Sequence, residues 1–177
     1  MDSYEIRCKM AEMHDEMLKR LETAMDKKRY VEVSWLCYSI MEQRITRMIE
    51  KHVELCPRLY RASKIPAGIS TRITCIKRLI NKKYDVYANV DHDLIVSILY
   101  WCKNRNALVH SLLSLETYMQ YDEEFRKLAE TGFPLAIKIY DEATKVREWS
   151  KEHEFGEFPL RSCRCKKFKC ICQSGNA

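Results

Sequence analysis

Glycine and proline are scarce in this chain, with four of each among 177 residues. Strand-and-turn proteins use both residues heavily, so their scarcity argues against an all-β fold and favours helices. No apolar run approaches the roughly twenty residues that a membrane-spanning helix needs, and residues 1–9 are too polar for a signal peptide. We therefore expect a soluble, cytoplasmic, all-α protein. Five of its nine cysteines stand singly in the sequence, and because disulfides are rare in that compartment they are expected to be reduced, small apolar residues: Cys8, Cys37, Cys56, Cys75 and Cys102.

Apolar residues recur at three- and four-residue intervals, which predicts an up-and-down bundle of four to five helices. Helices are expected over 3–27, 29–53 and 70–82, and Asp91 is expected to cap a fourth that runs up to Arg105-Asn106. The last helix keeps its apolar spacing through Thr131-Gly132-Phe133-Pro134, which predicts one kinked helix. The bundle is expected to occupy residues 1–152, and a basic, Cys-rich tail residues 153–177. The apolar stripe of the first helix, expected in the core, comprises Ile6, Met10, Met13, Met17, Leu21 and Met25.

Acidic residues are absent from 55–84, a segment that holds eight basic residues. Phosphate groups bind such cations, and unpaired bases stack on aromatic rings such as Tyr60, Tyr84 and Tyr87. This composition favours single-stranded RNA as a partner. The alternative is a solvated basic face without a ligand, and the net charge of +6 is compatible with both. The predicted RNA-binding residues are Arg58, Arg61, Lys64, Arg72, Arg78 and Lys82.

The segment Arg105-Asn106-Ala107-Leu108-Val109-His110 places a permanent cation, an amide and an imidazole close together in the sequence. Beside a phosphodiester, the His can move the proton of a 2′-hydroxyl and the Arg can stabilise charge on the phosphoryl oxygens. On a continuous helix, however, Arg105 and His110 lie roughly 140° apart. They can meet only if the backbone leaves helical geometry near 103–106, or across a subunit interface. The alternative is that both are ordinary polar residues.

This Arg-Asn-x-x-x-His string, late in a helical chain and followed by a long polar helix, resembles the signature of HEPN domains. Residues 35–45 are similar to the second helix of that family, and Glu42 matches its polar residue facing the motif. The resemblance covers roughly residues 1–152. It implies a helical bundle that dimerises, so that two copies of the motif form one cleft. It also implies metal-independent cleavage of RNA that leaves a 2′,3′-cyclic phosphate and a 5′-hydroxyl.

Four cysteines stand within ten residues of the tail, at Cys163, Cys165, Cys170 and Cys172. Four thiolates are the number that one tetrahedral zinc ion takes, and the neighbouring Arg and Lys residues favour the thiolate form. The tail is therefore a predicted structural zinc site, whereas catalysis is expected to need no cofactor. The alternative is a basic, redox-prone tail without metal.

Three interpretations follow. The first is an endoribonuclease of HEPN type, acting in defence, as a toxin or in RNA processing, with Arg105, Asn106, His110 and Glu42 as catalytic residues. Its expected partners are RNA, a second copy of the chain and a cognate antitoxin or regulatory protein. The second is a HEPN-like module that binds RNA, nucleotides or proteins without catalysis. The third is a helical adaptor whose zinc tail binds a partner, with the motif a coincidence.

Overall fold

The computed structural model describes residues 3–50, 68–112 and 118–152, and in these ranges the chain is helical with no strand. This confirms the all-α prediction, and the first four helices begin within a few residues of the expected positions. Among the described residues, no helix combines the length and apolar character that crossing a bilayer requires. The five helices are α1 (Ser3–Asp26), α2 (Tyr30–Glu50), α3 (Ile69–Asn81), α4 (His92–Ser111) and α5 (Tyr118–Glu152), with a short 3-10 turn at Asp85–Tyr87.

Helix α2 is the centre of the bundle, because it contacts each of the other four described helices and packs most extensively against α5. Its buried apolar residues repeat at three- and four-residue steps, so one broad side of the helix faces the core. Its other side carries the polar residues that matter for the site below. The buried apolar residues of α2 are Val33, Cys37, Ile40, Met41, Ile45, Met48 and Ile49.

Among the α1 side chains that the structure describes, the apolar stripe reaches the core from Met17 onwards. Leu21 is fully buried, and Met17 and Met25 pack against the core, whereas Met13 is 46% exposed. The predicted core position of Met13 is therefore wrong. The side chains of Ile6 and Met10 lie outside the part of α1 whose side chains the structure describes.

Helix α4 begins where the sequence predicts. The Asp91 carboxylate accepts hydrogen bonds from the backbone N–H groups of Asp93 and Leu94, at 2.8 and 3.1 Å. The backbone N–H of Asp91 donates to the buried Glu142 carboxylate of α5 at 2.9 Å, which ties this helix start to the last helix. The N-terminal end of α4, and with it the register of the motif, is thus fixed by two side chains.

The expected end of α4 at the Arg-Asn motif is wrong, because the helix continues without a break to Ser111. Asn is a weak helix former, but propensity is a small effect that packing often overrides. Here Arg105 is buried, and Leu108 and Val109 pack against the core. These contacts hold the segment helical through both asparagines.

Helix α5 runs unbroken through Gly132 and Pro134, as predicted. At Gly132 a Cβ atom would lie 2.6 Å from the indole of Trp101, so only glycine lets α4 and α5 approach this closely. The Trp101 Nε1–H donates to the carbonyl of Leu128 at 2.9 Å. Gly132 is therefore a packing contact within one helix.

Three cysteines confirm their expected role as small apolar residues, since Cys37, Cys75 and Cys102 are buried thiols. Burial raises the pKa of Cys37 and of Cys102 to about 12. Thiolates are the reactive form of cysteine, so these two side chains are chemically inert at neutral pH.

Candidate functional site

The motif residues point in different directions from α4. Arg105 is 7% exposed and faces the bundle, whereas His110 is exposed to solvent. Because the helix is continuous, the two side chains project roughly 140° apart. Of the two ways in which they could meet, a break of the helix within one chain is excluded. A meeting across an interface between two chains remains.

Two aromatic rings of α2 enclose the Arg105 guanidinium. Its Cζ lies 4.2 Å from the ring centroid of Trp35 and 4.8 Å from that of Tyr38, and its Nη1–H donates to the Asn106 side-chain oxygen at 3.2 Å. A cation over a partly desolvated aromatic face is stabilised by about 1–2 kcal/mol. Sequence reasoning missed both rings. The available signal was an aromatic pair at i and i+3, one turn before Glu42.

The guanidinium keeps unused hydrogen-bonding capacity. Its Nε and Nη2 atoms are buried and have no acceptor among the described residues. A buried donor without an acceptor costs about 1–3 kcal/mol. An acceptor such as a phosphoryl oxygen would recover that cost if it reached these nitrogens.

Glu42 lies between Arg105 and α3. Its Oε1 is 3.5 Å from Nη1 of Arg72, and the same Nη1 donates a short hydrogen bond to the Thr46 hydroxyl. The pKa of the Tyr38 phenol is raised, chiefly by burial and to a smaller extent by the negative charge of Glu42. In the described structure Glu42 thus forms an ion pair with Arg72. Its negative charge also acts on Tyr38, one of the two rings beside Arg105.

A cleft of about 550 Å³ opens beside Glu42, between α1, α2 and α3. This volume lies in the range of small-molecule sites. Its lining side chains include two arginines, one carboxylate, two hydroxyl groups and an amide, so their charges sum to a positive value. The lining residues are Met17, Ser39, Glu42, Gln43, Thr46, Arg47 and Arg72.

The basic residues of α3 divide into two kinds. Arg78 and Lys82 are exposed at i and i+4, as a binding surface requires. The Arg72 side chain is only 13% exposed and is held by Glu42. Three further predicted RNA-binding residues, Arg58, Arg61 and Lys64, lie outside the described residues.

The expectation that Tyr84 and Tyr87 stack on bases is wrong. Both are buried, and the Tyr87 hydroxyl donates to the carbonyl of Met48 at 2.7 Å. Both rings belong to the hydrophobic core, because burial of a large apolar surface outweighs the basic character of their sequence neighbours. Tyr60 lies outside the described residues.

The predicted zinc ligands, Cys163, Cys165, Cys170 and Cys172, also lie outside the described ranges. Within those ranges, no group of three or more His, Cys, Asp or Glu side chains is placed to hold a metal ion. Comparison of the chain with family models, curated proteins and solved structures finds no match, so the interpretation of the site rests on its own residues.

Proposed function

We propose that this protein is a metal-independent endoribonuclease of HEPN type that acts as a homodimer. The observation that carries the proposal is the state of Arg105. A permanent cation is kept nine-tenths buried, with two nitrogens unsatisfied, next to the polar face of α2. Such an arrangement costs stability, and a function in binding phosphate explains why the chain retains it.

The chemistry follows from the residue types. His110 removes the proton of a ribose 2′-hydroxyl, whose oxygen attacks the adjacent phosphorus. The bond from phosphorus to the 5′-oxygen breaks, and the imidazolium returns the proton to that leaving oxygen. Arg105 stabilises the charge on the phosphoryl oxygens, and Asn106 orients the guanidinium through the hydrogen bond at 3.2 Å. The negative charge of Glu42 orients the side chain of Arg105 or of His110.

The dimer is required by the separation of the two residues on α4. A two-fold contact places the same surface of both chains together, so that a His110 of one copy can approach the Arg105 of the other. The cleft formed in this way would contain two symmetric sites. Such an enzyme would act in defence, as a toxin or in RNA processing. An antitoxin or regulatory protein would then be a further partner.

A second candidate is a module that binds RNA or nucleotides without cutting. The observation in its favour is that Trp35 and Tyr38 cover Arg105, while His110 stands apart from it. The polar cleft beside Glu42 would then be the binding site. For both candidates the tail remains a predicted zinc site with a structural role, separate from the reaction.

The experiment is an incubation of the purified full chain with end-labelled single-stranded RNA in the presence of EDTA. We expect fragments that end in a 2′,3′-cyclic phosphate and begin with a 5′-hydroxyl. The matched control is the same RNA with 2′-O-methyl groups, which lacks the nucleophile and should stay intact. Cleavage of the control, or cleavage only after a divalent metal is added, would contradict the mechanism. Binding of several RNAs without cleavage would favour the second candidate.

A further inference from the structure

One face of α2 connects the aromatic pair to the polar cleft. Residues along this face repeat at three- and four-residue steps and share one side of the helix. From its first to its last residue the face extends about 17 Å along the helix axis. We call this face the α2 track, and its residues are Trp35, Tyr38, Ser39, Glu42 and Thr46.

At one end of the track, Trp35 is 53% exposed. By contrast, the Trp101 side chain is buried, at 4% exposure. One face of the Trp35 ring covers Arg105, and the exposed remainder is open to a planar ligand. A tryptophan ring backed by a guanidinium resembles the stacking platforms of proteins that bind single-stranded nucleic acid.

At the other end, the cleft offers groups that bind phosphate. Arg47 and Arg72 are lining residues, and their guanidinium groups are the phosphate-binding groups. The Thr46 hydroxyl accepts from Arg72 and donates to the backbone carbonyl of Glu42, so it serves to hold this wall of the cleft. The Glu42 carboxylate would repel a phosphate at the middle of the track, but its ion pair with Arg72 offsets that charge. A phosphate is therefore favoured in the cleft, beside Arg47, and a base at the opposite end of the track, on Trp35.

We propose that single-stranded RNA binds along the α2 track, with one base stacked on the exposed face of Trp35 and a phosphate of a nearby nucleotide in the cleft beside Arg47. The inference rests on the proposed function, because it names the path of the same RNA. Only a single strand fits this arrangement, since a paired base is not free to stack on a protein side chain. Trp35 is thus a substrate-binding residue.

The test measures binding of fluorescein-labelled 2′-O-methyl oligouridylate, which is not cut, to the full chain at several salt concentrations. Trp35→Ala is expected to weaken binding by roughly 5- to 150-fold without changing the salt dependence. Trp35→Phe keeps a ring and should lose only a small part of that affinity. Arg47→Gln should lower the slope of log affinity against log salt by about one.

The matched control is Tyr100→Ala, which removes a ring that is 61% exposed on α4 but is not part of the track. It should bind as the wild type does. Wild-type affinity in Trp35→Ala, or an equal loss in Tyr100→Ala, would overturn the α2 track and leave the ribonuclease proposal standing. The α2 track would also be overturned if Trp35→Ala dissociated a dimer but kept the RNA affinity of each chain. Trp35 would then be a contact between two copies of the chain. A wild-type protein that binds no RNA would overturn both proposals.

Discussion

Replacing His110 with alanine is expected to lower the rate of RNA cleavage by about 100-fold or more while the fold is preserved. General acid–base catalysis by a positioned side chain contributes about 10²- to 10⁴-fold. His110 is exposed on α4, and alanine is the best helix former, so the free energy of unfolding should change by no more than about 0.5 kcal/mol. Cleavage rate and thermal unfolding of the same preparation measure both effects.

His92→Ala is the matched control for this variant, because His92 lies at the opposite end of the same helix. Its imidazole is 41% exposed beside Asp93 and is distant from the motif. We expect cleavage at the wild-type rate. Undiminished cleavage by His110→Ala would rule out the assigned base, and an equal loss in both variants would point to a general effect on α4.

Replacing Arg105 with methionine is expected to lower the rate of RNA cleavage by about 100-fold or more. The free energy of unfolding should change little. Methionine matches the length of the arginine stem and makes favourable contacts with aromatic rings such as Trp35 and Tyr38. The variant loses a cation–π contribution from each of the two rings, about 1–2 kcal/mol apiece. It also removes two buried donors without acceptors, each costing about 1–3 kcal/mol. The two effects nearly cancel.

Arg44→Met offers a close comparison. Arg44 is also buried on α2, at 8% exposure, and its guanidinium lies 4.0 Å from the ring centroid of Tyr140. Its Nε likewise lacks an acceptor among the described residues. Because it is outside the motif, Arg44→Met should retain cleavage. If Arg105→Met instead unfolds readily and its remaining folded fraction still cuts RNA, Arg105 is a structural residue.

The local features of the fold were predictable because local chemistry determines them. The Asp91 cap follows from a carboxylate placed before an apolar periodic segment. The continuity of α5 follows from apolar spacing that persists across Gly132 and Pro134. Helix starts could therefore be assigned from residue order alone, and the structure places them close to where they were expected.

The surroundings of the motif could not be predicted, because residues far apart in sequence determine them. The rings over Arg105 come from α2, at Trp35 and Tyr38. The burial of Tyr84 and Tyr87 depends on how α3 packs on α2. Composition makes such residues eligible for RNA binding, but tertiary packing decides which rings remain exposed. Here it leaves Trp35 at the surface and removes both tyrosines.

Each active site is proposed to combine Arg105 of one chain with His110 of another. To test this pairing, His110→Ala and Arg105→Met chains are mixed in equal amounts, unfolded and refolded together. Each mixed dimer then has one complete site and one that lacks both residues. Random pairing makes about half of the dimers mixed, so the mixture should regain about a quarter of the wild-type cleavage rate.

Each variant refolded alone is the baseline for this measurement, and wild-type chains carried through the same procedure define full activity. Recovery to about a quarter in the mixture, from two inactive parents, is the result that the shared site predicts. A mixture that stays as inactive as its parents, although mixed dimers form, would contradict a site shared between chains.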